Sequence, residues 1–130
     1  MTFVLLVADG ARADTLLAAM DAGHLPALAR LRAEGSAHTI TTVFPSVTGP
    51  AYAPFLMGLY PGRAGVPGIR WWDRARTATL WPAYARSYVG IEALRADRDL
   101  TPEHRTLFEY AERPLGAFTP HGRGLAKHQR

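Results

Sequence analysis

A chain of 130 residues, 48% hydrophobic and 20% charged, is large enough for one packed domain and too apolar for a disordered one. Its net charge of +4 is carried almost wholly by arginine. The arginines run from Arg12 to Arg130, often beside acids as in Asp73-Arg74, without forming a patch, so no nucleic-acid polymer is expected as a partner. With no cysteine, disulfides and thiolate metal sites are excluded, and any metal must rest on Asp, Glu, His or hydroxyl oxygen.

Phe3–Ala8 is a continuous apolar run stopped by Asp9-Gly10, the pattern of a strand buried on both faces of a parallel sheet. It is too short for a signal peptide or a membrane span and has no basic residues before it, so a cytoplasmic protein with no membrane partner is expected. Asp14 is a candidate cap for a helix from Thr15 to Ala22, ended by Gly23. Pro26 opens a second helix whose Leu28 and Leu31 should face inward, closed by Gly35. Ala37–Phe44, rich in Thr, Ile and Val, predicts the next strand.

Pro45–Gly49 is a turn, and Pro50 suits the start of a helix ending near Gly58. Glycines and prolines crowd Pro61–Gly68 into a loop, and Ile69–Trp72 predicts a short strand. Leu80–Asp99 fits no single pattern. Thr101-Pro102-Glu103 predicts a helix start, with the helix running to Glu112, and Leu115–Phe118 a last short strand. Residues 1–121 thus form the expected domain, and Gly122–Arg130 a loose polar tail. Strands alternating with helices predict an α/β fold with a mainly parallel sheet, whose ligands bind beyond the carboxyl ends of the strands.

Two expected strands end in residues able to do chemistry. Asp9 lies where a carboxylate meets a divalent cation or, equally, caps the following helix. Thr48 lies at the start of the next helix, where backbone N–H groups and the helix dipole favour phosphate. Its alternative role is a helix cap, which Ser46 could fill as well. The five histidines, His24, His38, His104, His121 and His128, are expected on the surface or in loops. Trp71-Trp72 is either a pocket wall or an aromatic pair packing the loop.

Val7-Ala8-Asp9-Gly10-Ala11-Arg12-Ala13-Asp14, together with Phe44-Pro45-Ser46-Val47-Thr48-Gly49-Pro50 and Met57-Gly58-Leu59-Tyr60-Pro61, resembles the type I phosphodiesterase and nucleotide pyrophosphatase family of the alkaline phosphatase superfamily. Leu25-Pro26-Ala27-Leu28 and Leu31-Arg32-Ala33-Glu34-Gly35 resemble the helix between those segments. The resemblance spans about Val4 to Gly65 in matching order. It implies an alkaline-phosphatase-like sheet flanked by helices, of which this chain is the N-terminal portion.

By the same resemblance, Asp9 is a ligand of one of two divalent ions, zinc in the family's usual form, and Thr48 is both nucleophile and ligand of that ion. The substrate is a small phosphate ester, a diester or nucleotide pyrophosphate. The family's asparagine that contacts the phosphoryl oxygens is replaced by Ile69, and the chain contains no asparagine. Arg70, the Gly49 backbone N–H or Arg12 are its candidate replacements. The family's histidine at the position of Tyr52 is also absent. The remaining ligands, an Asp with a His four positions later and an Asp-His pair, do not occur here. The chain is therefore expected to be an incomplete, inactive fragment of the enzyme, the alternative being a small non-catalytic α/β module that binds anions at the Thr48 turn.

Overall fold

The structure, a computed structural model, describes residues 2–73, 85–125 and 128–129. Residues 80–84 of the stretch left unassigned above, and parts of the expected tail, lie outside these. The chain divides into two compact units, Met1–Thr41 and Thr42–Arg130. It is a mixed fold of helices and small sheets, compatible with the α/β class. No helix among the described residues is long and apolar enough to cross a membrane.

In the first unit, helix α1 (Ala13–Asp21) is followed by α2 (Pro26–Glu34). Arg12, not Asp14, occupies the N-cap of α1. Asp14 lies in the first turn, where its Oδ1 accepts the Thr15 backbone N–H at 2.8 Å. Gly23 takes the left-handed conformation, φ 78°, that lets the chain turn after α1. Pro26 opens α2 and Gly35 ends it, as expected. Met20 is the one fully buried hydrophobic residue of α1, and the two helices are joined by an ion pair from Arg32 Nη2 to Asp21 Oδ1 at 2.6 Å.

Three expectations for this region are corrected. Leu28 and Leu31 do not face inward; Leu31 is 62% exposed. Phe3–Ala8 and Ala37–Phe44 are not strands. A strand is stable only when a neighbour takes up its backbone N–H and C=O groups. The described sheets pair other segments, so Leu6 and Phe44 stand 88% and 93% exposed instead of buried.

The second unit is built on α3 (Thr48–Met57), which Gly58 terminates in the left-handed conformation with its N–H donated to Pro54 O at 2.8 Å. Tyr52, Ala53 and Leu56 give α3 its buried face, and Tyr52 packs against Phe55 with ring centroids 4.8 Å apart. The Pro61–Gly68 loop contains one helical turn, α4 (Pro61–Ala64). Ala64, Val66, Ala96 and Leu100 complete the core.

Strand β1 (Arg70–Trp72) appears where expected, but its partner β2 (Ala85–Ser87) comes from the unassigned stretch and runs antiparallel, with Arg70 opposite Ser87. Later in that stretch comes a 3-10 helix, Gly90–Arg98. The expected helix from Thr101 to Glu112 is cut to a single 3-10 turn, Leu107–Tyr110. Thr106 and Glu109 form a capping box there, which fixes the start five residues later than Thr101. The last expected strand is reduced to β3 (Gly116–Ala117), parallel to β4 (His128–Gln129).

The start of the expected loose tail is tightly bonded. The Gly122 N–H donates to Asp97 Oδ1 at 2.8 Å. The Arg123 guanidinium donates to Glu109 and to the carbonyls of Leu100, Thr101 and His104. His121 lies in this loop, within the expectation of a surface or loop residue, but it is only 2% exposed, with Nδ1 3.9 Å from Asp97 Oδ1.

Candidate active site

Thr48 is the first residue of α3 and half-buried. The N-cap is Val47, whose apolar side chain cannot cap, so neither Thr48 nor Ser46 holds the N-cap position. The Ala51 N–H already donates to Val47 O at 2.9 Å, and Pro50 has no N–H. The N–H groups of Thr48 and Gly49 therefore point out of the N-terminal end of the helix, where its dipole is positive.

Gly49 is buried, and its lack of a side chain has a specific cause. A Cβ there would lie 2.5 Å from Cδ1, 2.6 Å from Cε1 and 2.6 Å from Cγ of Tyr88. Three consecutive ring atoms at nearly equal distance place that position over the face of the ring, not beyond its edge. The Tyr88 ring thus lies flat on the Thr48–Gly49 turn, a contact only glycine permits.

Three interactions fix Tyr88 in place. Arg86, two residues before it, donates through Nε to Asp99 Oδ1 at 2.8 Å, and its Nη2 donates to the same oxygen. Both side chains are largely buried, at 15% and 7% exposure, which makes this pair stiff. Ser87 donates its hydroxyl to Ile69 O at 3.0 Å and accepts the Val89 N–H at 3.1 Å, so the residues flanking Tyr88 are clamped on both sides. Asp99 is held in turn at α4: the Asp99 carbonyl presses on Gly65, and the Thr101 N–H donates to Ala64 O at 2.9 Å.

The structure therefore brings the Thr48–Gly49 turn and Tyr88 together and, through Ser87, ties them to position 69. Arg70 lies next to it on β1 and is exposed. Asp9 is exposed and belongs to the other unit, Met1–Thr41. So does Arg12, which pairs with Asp14 at 2.6 Å; that pairing, followed by the Thr15 N–H, holds the Asp14 carboxyl below its usual range. Trp71 is half-buried and Trp72 exposed at 56%, so the tryptophan pair is not a packed core element.

Tyr88 is the site residue that sequence reasoning missed. Its signal was the β-favouring run Ser87-Tyr88-Val89 stopped by Gly90, inside a stretch whose mixed pattern hid it.

Asp9 and Thr48 offer the oxygen donors a hard cation takes. The described residues nevertheless contain no group of three or more His, Asp or Glu arranged to hold a metal ion.

Neither a curated protein nor a solved structure matches the chain. The sequence model of the family described as type I phosphodiesterase / nucleotide pyrophosphatase does match it, over residues 3–108. That span takes in the Asp9 turn, the Thr48 turn and Tyr88, and this is a family of phosphoric ester hydrolases that are generally metal-dependent. The chain belongs to the type I phosphodiesterase / nucleotide pyrophosphatase family.

Proposed function

We propose that this chain carries the nucleophile of a phosphoric ester hydrolase acting on phosphodiester or nucleotide pyrophosphate bonds, with Thr48 as the attacking residue. The observation that carries the reading is the position of Thr48 at the head of α3 within a family match that spans it. In the reaction, Thr48 Oγ forms a bond to phosphorus as the bond to the leaving oxygen breaks in line. The hydroxyl proton passes to a base, the alcohol or nucleotide departs, and water then cleaves the phosphothreonine. A threonine hydroxyl is a weak nucleophile until its proton is withdrawn. The chain's own contribution is to hold that hydroxyl beside the Gly49 N–H and the positive end of the helix, where charge on the phosphoryl oxygens is stabilised.

We assign Asp9 and Thr48 as this chain's donors to the family's pair of divalent ions, with zinc the ion proposed. Among the described residues no group of three or more His, Asp or Glu completes that pair. The exposed apolar runs around Leu6 and Ile40 have the composition of sheet strands and need partners to be buried. Arg70 and the Gly49 N–H are the proposed substrate contacts. The sheet that these runs would join is proposed to be the mainly parallel one.

The test has two arms. The 130-residue chain should release no nitrophenol from phosphate mono- or diesters, with or without zinc. In protein carrying the full ligand set, Thr48→Ala should abolish the phosphothreonine seen by mass spectrometry, and Thr48→Ser should retain part of it. Asp9→Asn should be rescued in part by added zinc, which should do nothing for Thr48→Ala. Near-wild-type turnover of Thr48→Ala would end the nucleophile assignment.

A further inference from the structure

We propose that Tyr88 is a positioning residue of the phosphoryl site, its phenol O–H donating to the phosphoryl group in place of the amide that the chain lacks at Ile69. The inference rests on the reading of Thr48 above and deepens it by naming the group that orients the substrate. Ile69 has no donor, yet its carbonyl is bonded to Ser87, the residue before Tyr88, so the two positions share one corner of the β1–β2 pair. The ring of Tyr88 lies face-down on Gly49, with Cγ, Cδ1 and Cε1 over the glycine. Its hydroxyl is the polar end of a ring that is in contact with the residue next to Thr48.

Tyr88 is half-buried, so the ring is supported on one side and still open on the other. The alternatives fit less well. Arg12 is already paired with Asp14, and the Arg70 side chain is exposed on β1. A phenol also suits the task chemically, since a neutral donor orients a phosphoryl oxygen without adding a fixed charge.

Tyr88→Phe separates orientation from packing, because phenylalanine keeps the ring on Gly49 and removes only the hydroxyl. The probe is inorganic phosphate, titrated into 15N-labelled chain while the Gly49 amide resonance is followed, with the far-ultraviolet circular dichroism of each variant as the folding control. The wild-type chain should show a saturating shift at Gly49. Tyr88→Phe should bind phosphate roughly tenfold or more weakly, the loss expected for one hydrogen bond to a charged group. An equal affinity in Tyr88→Phe, with the Gly49 shift intact, would overturn the role of Tyr88 and leave the Thr48 reading standing. No shift at Gly49 in the wild-type chain would overturn both.

Discussion

Replacing Gly49 by alanine probes the contact on which the candidate site is built. The new methyl would start 2.5 Å from the Tyr88 ring, well inside van der Waals contact, and the ring cannot swing away freely because Arg86 and Ser87 hold the strand that leads into it. Overpacking of this kind costs about 1–3 kcal/mol. Against it stands the better helix propensity of alanine, worth up to about 1 kcal/mol in a helix interior and less in a first turn. The net expectation is a loss of about 1–2 kcal/mol of unfolding free energy, measured by urea denaturation followed by circular dichroism. The same substitution made in a Tyr88→Ala background meets no ring, so there it should be neutral or stabilising by a few tenths of a kcal/mol. The difference between the two backgrounds is the coupling energy. An equal cost for Gly49→Ala in both would refute the stacked geometry, because the clash would then lie elsewhere.

Gly65→Ala should be more damaging than Gly49→Ala: φ is 95° and a Cβ would lie 2.0 Å from the Asp99 carbonyl oxygen, so left-handed strain of about 1–3 kcal/mol adds to displaced backbone, and a fall in urea midpoint smaller than that of Gly49→Ala would contradict it. Asp99→Ala leaves the Arg86 guanidinium buried without its carboxylate, which costs about 3–5 kcal/mol in buried pairs, and it should also weaken the Tyr88–Gly49 coupling in the cycle above; thermal unfolding reads the first effect and the repeated cycle the second. The Glu109 carboxyl is held below its usual value of 4.5, chiefly by the Thr106 backbone N–H and then by Arg123. Because its folded pKa is depressed, its contribution is complete above pH 4.5 and disappears as pH falls through the lowered folded value. Glu109→Gln should therefore reduce stability at neutral pH and flatten the acid limb of a stability–pH curve; an unchanged acid limb would count against the capping box.

Helices α2 and α3 were legible because their boundaries are set by local chemistry. Pro26 and Gly35 bracket α2, and Gly58 ends α3, since ring closure and left-handed backbone act on the nearest turn whatever surrounds it. The strands were legible only in composition. Phe3–Ala8 has the β-favouring apolar run of a buried strand, but becoming one depends on a neighbour that sequence pattern cannot supply. β2 was missed for the converse reason: Ala85, Arg86 and Ser87 are a short run of mixed character, and what makes them a strand is pairing with Arg70–Trp72. The loop position of His121 was legible, but its burial was not, because that depends on the surrounding loop being bonded across long sequence separations, as Gly122 is to Asp97 and Arg123 to Thr101.

The same distinction explains how the candidate site was partly readable. Thr48 and Gly49 sit in one hexapeptide, Pro45–Pro50, inside the span of the family match, so the candidate nucleophile could be proposed from a string of residues. The reason Gly49 must be glycine could not, because the atom that forbids a side chain belongs to Tyr88, thirty-nine positions on. A glycine beside a nucleophile invites an explanation by backbone freedom, yet Gly49 is absent from the residues with positive φ. Its constraint is one of space: the peptide is kept bare so that an aromatic ring can lie on it. That changes what a substitution there would mean. Loss of function in Gly49→Ala would report displacement of Tyr88 as much as loss of an oxyanion contact, and only the Tyr88→Phe titration, which leaves the packing alone, tells the two apart.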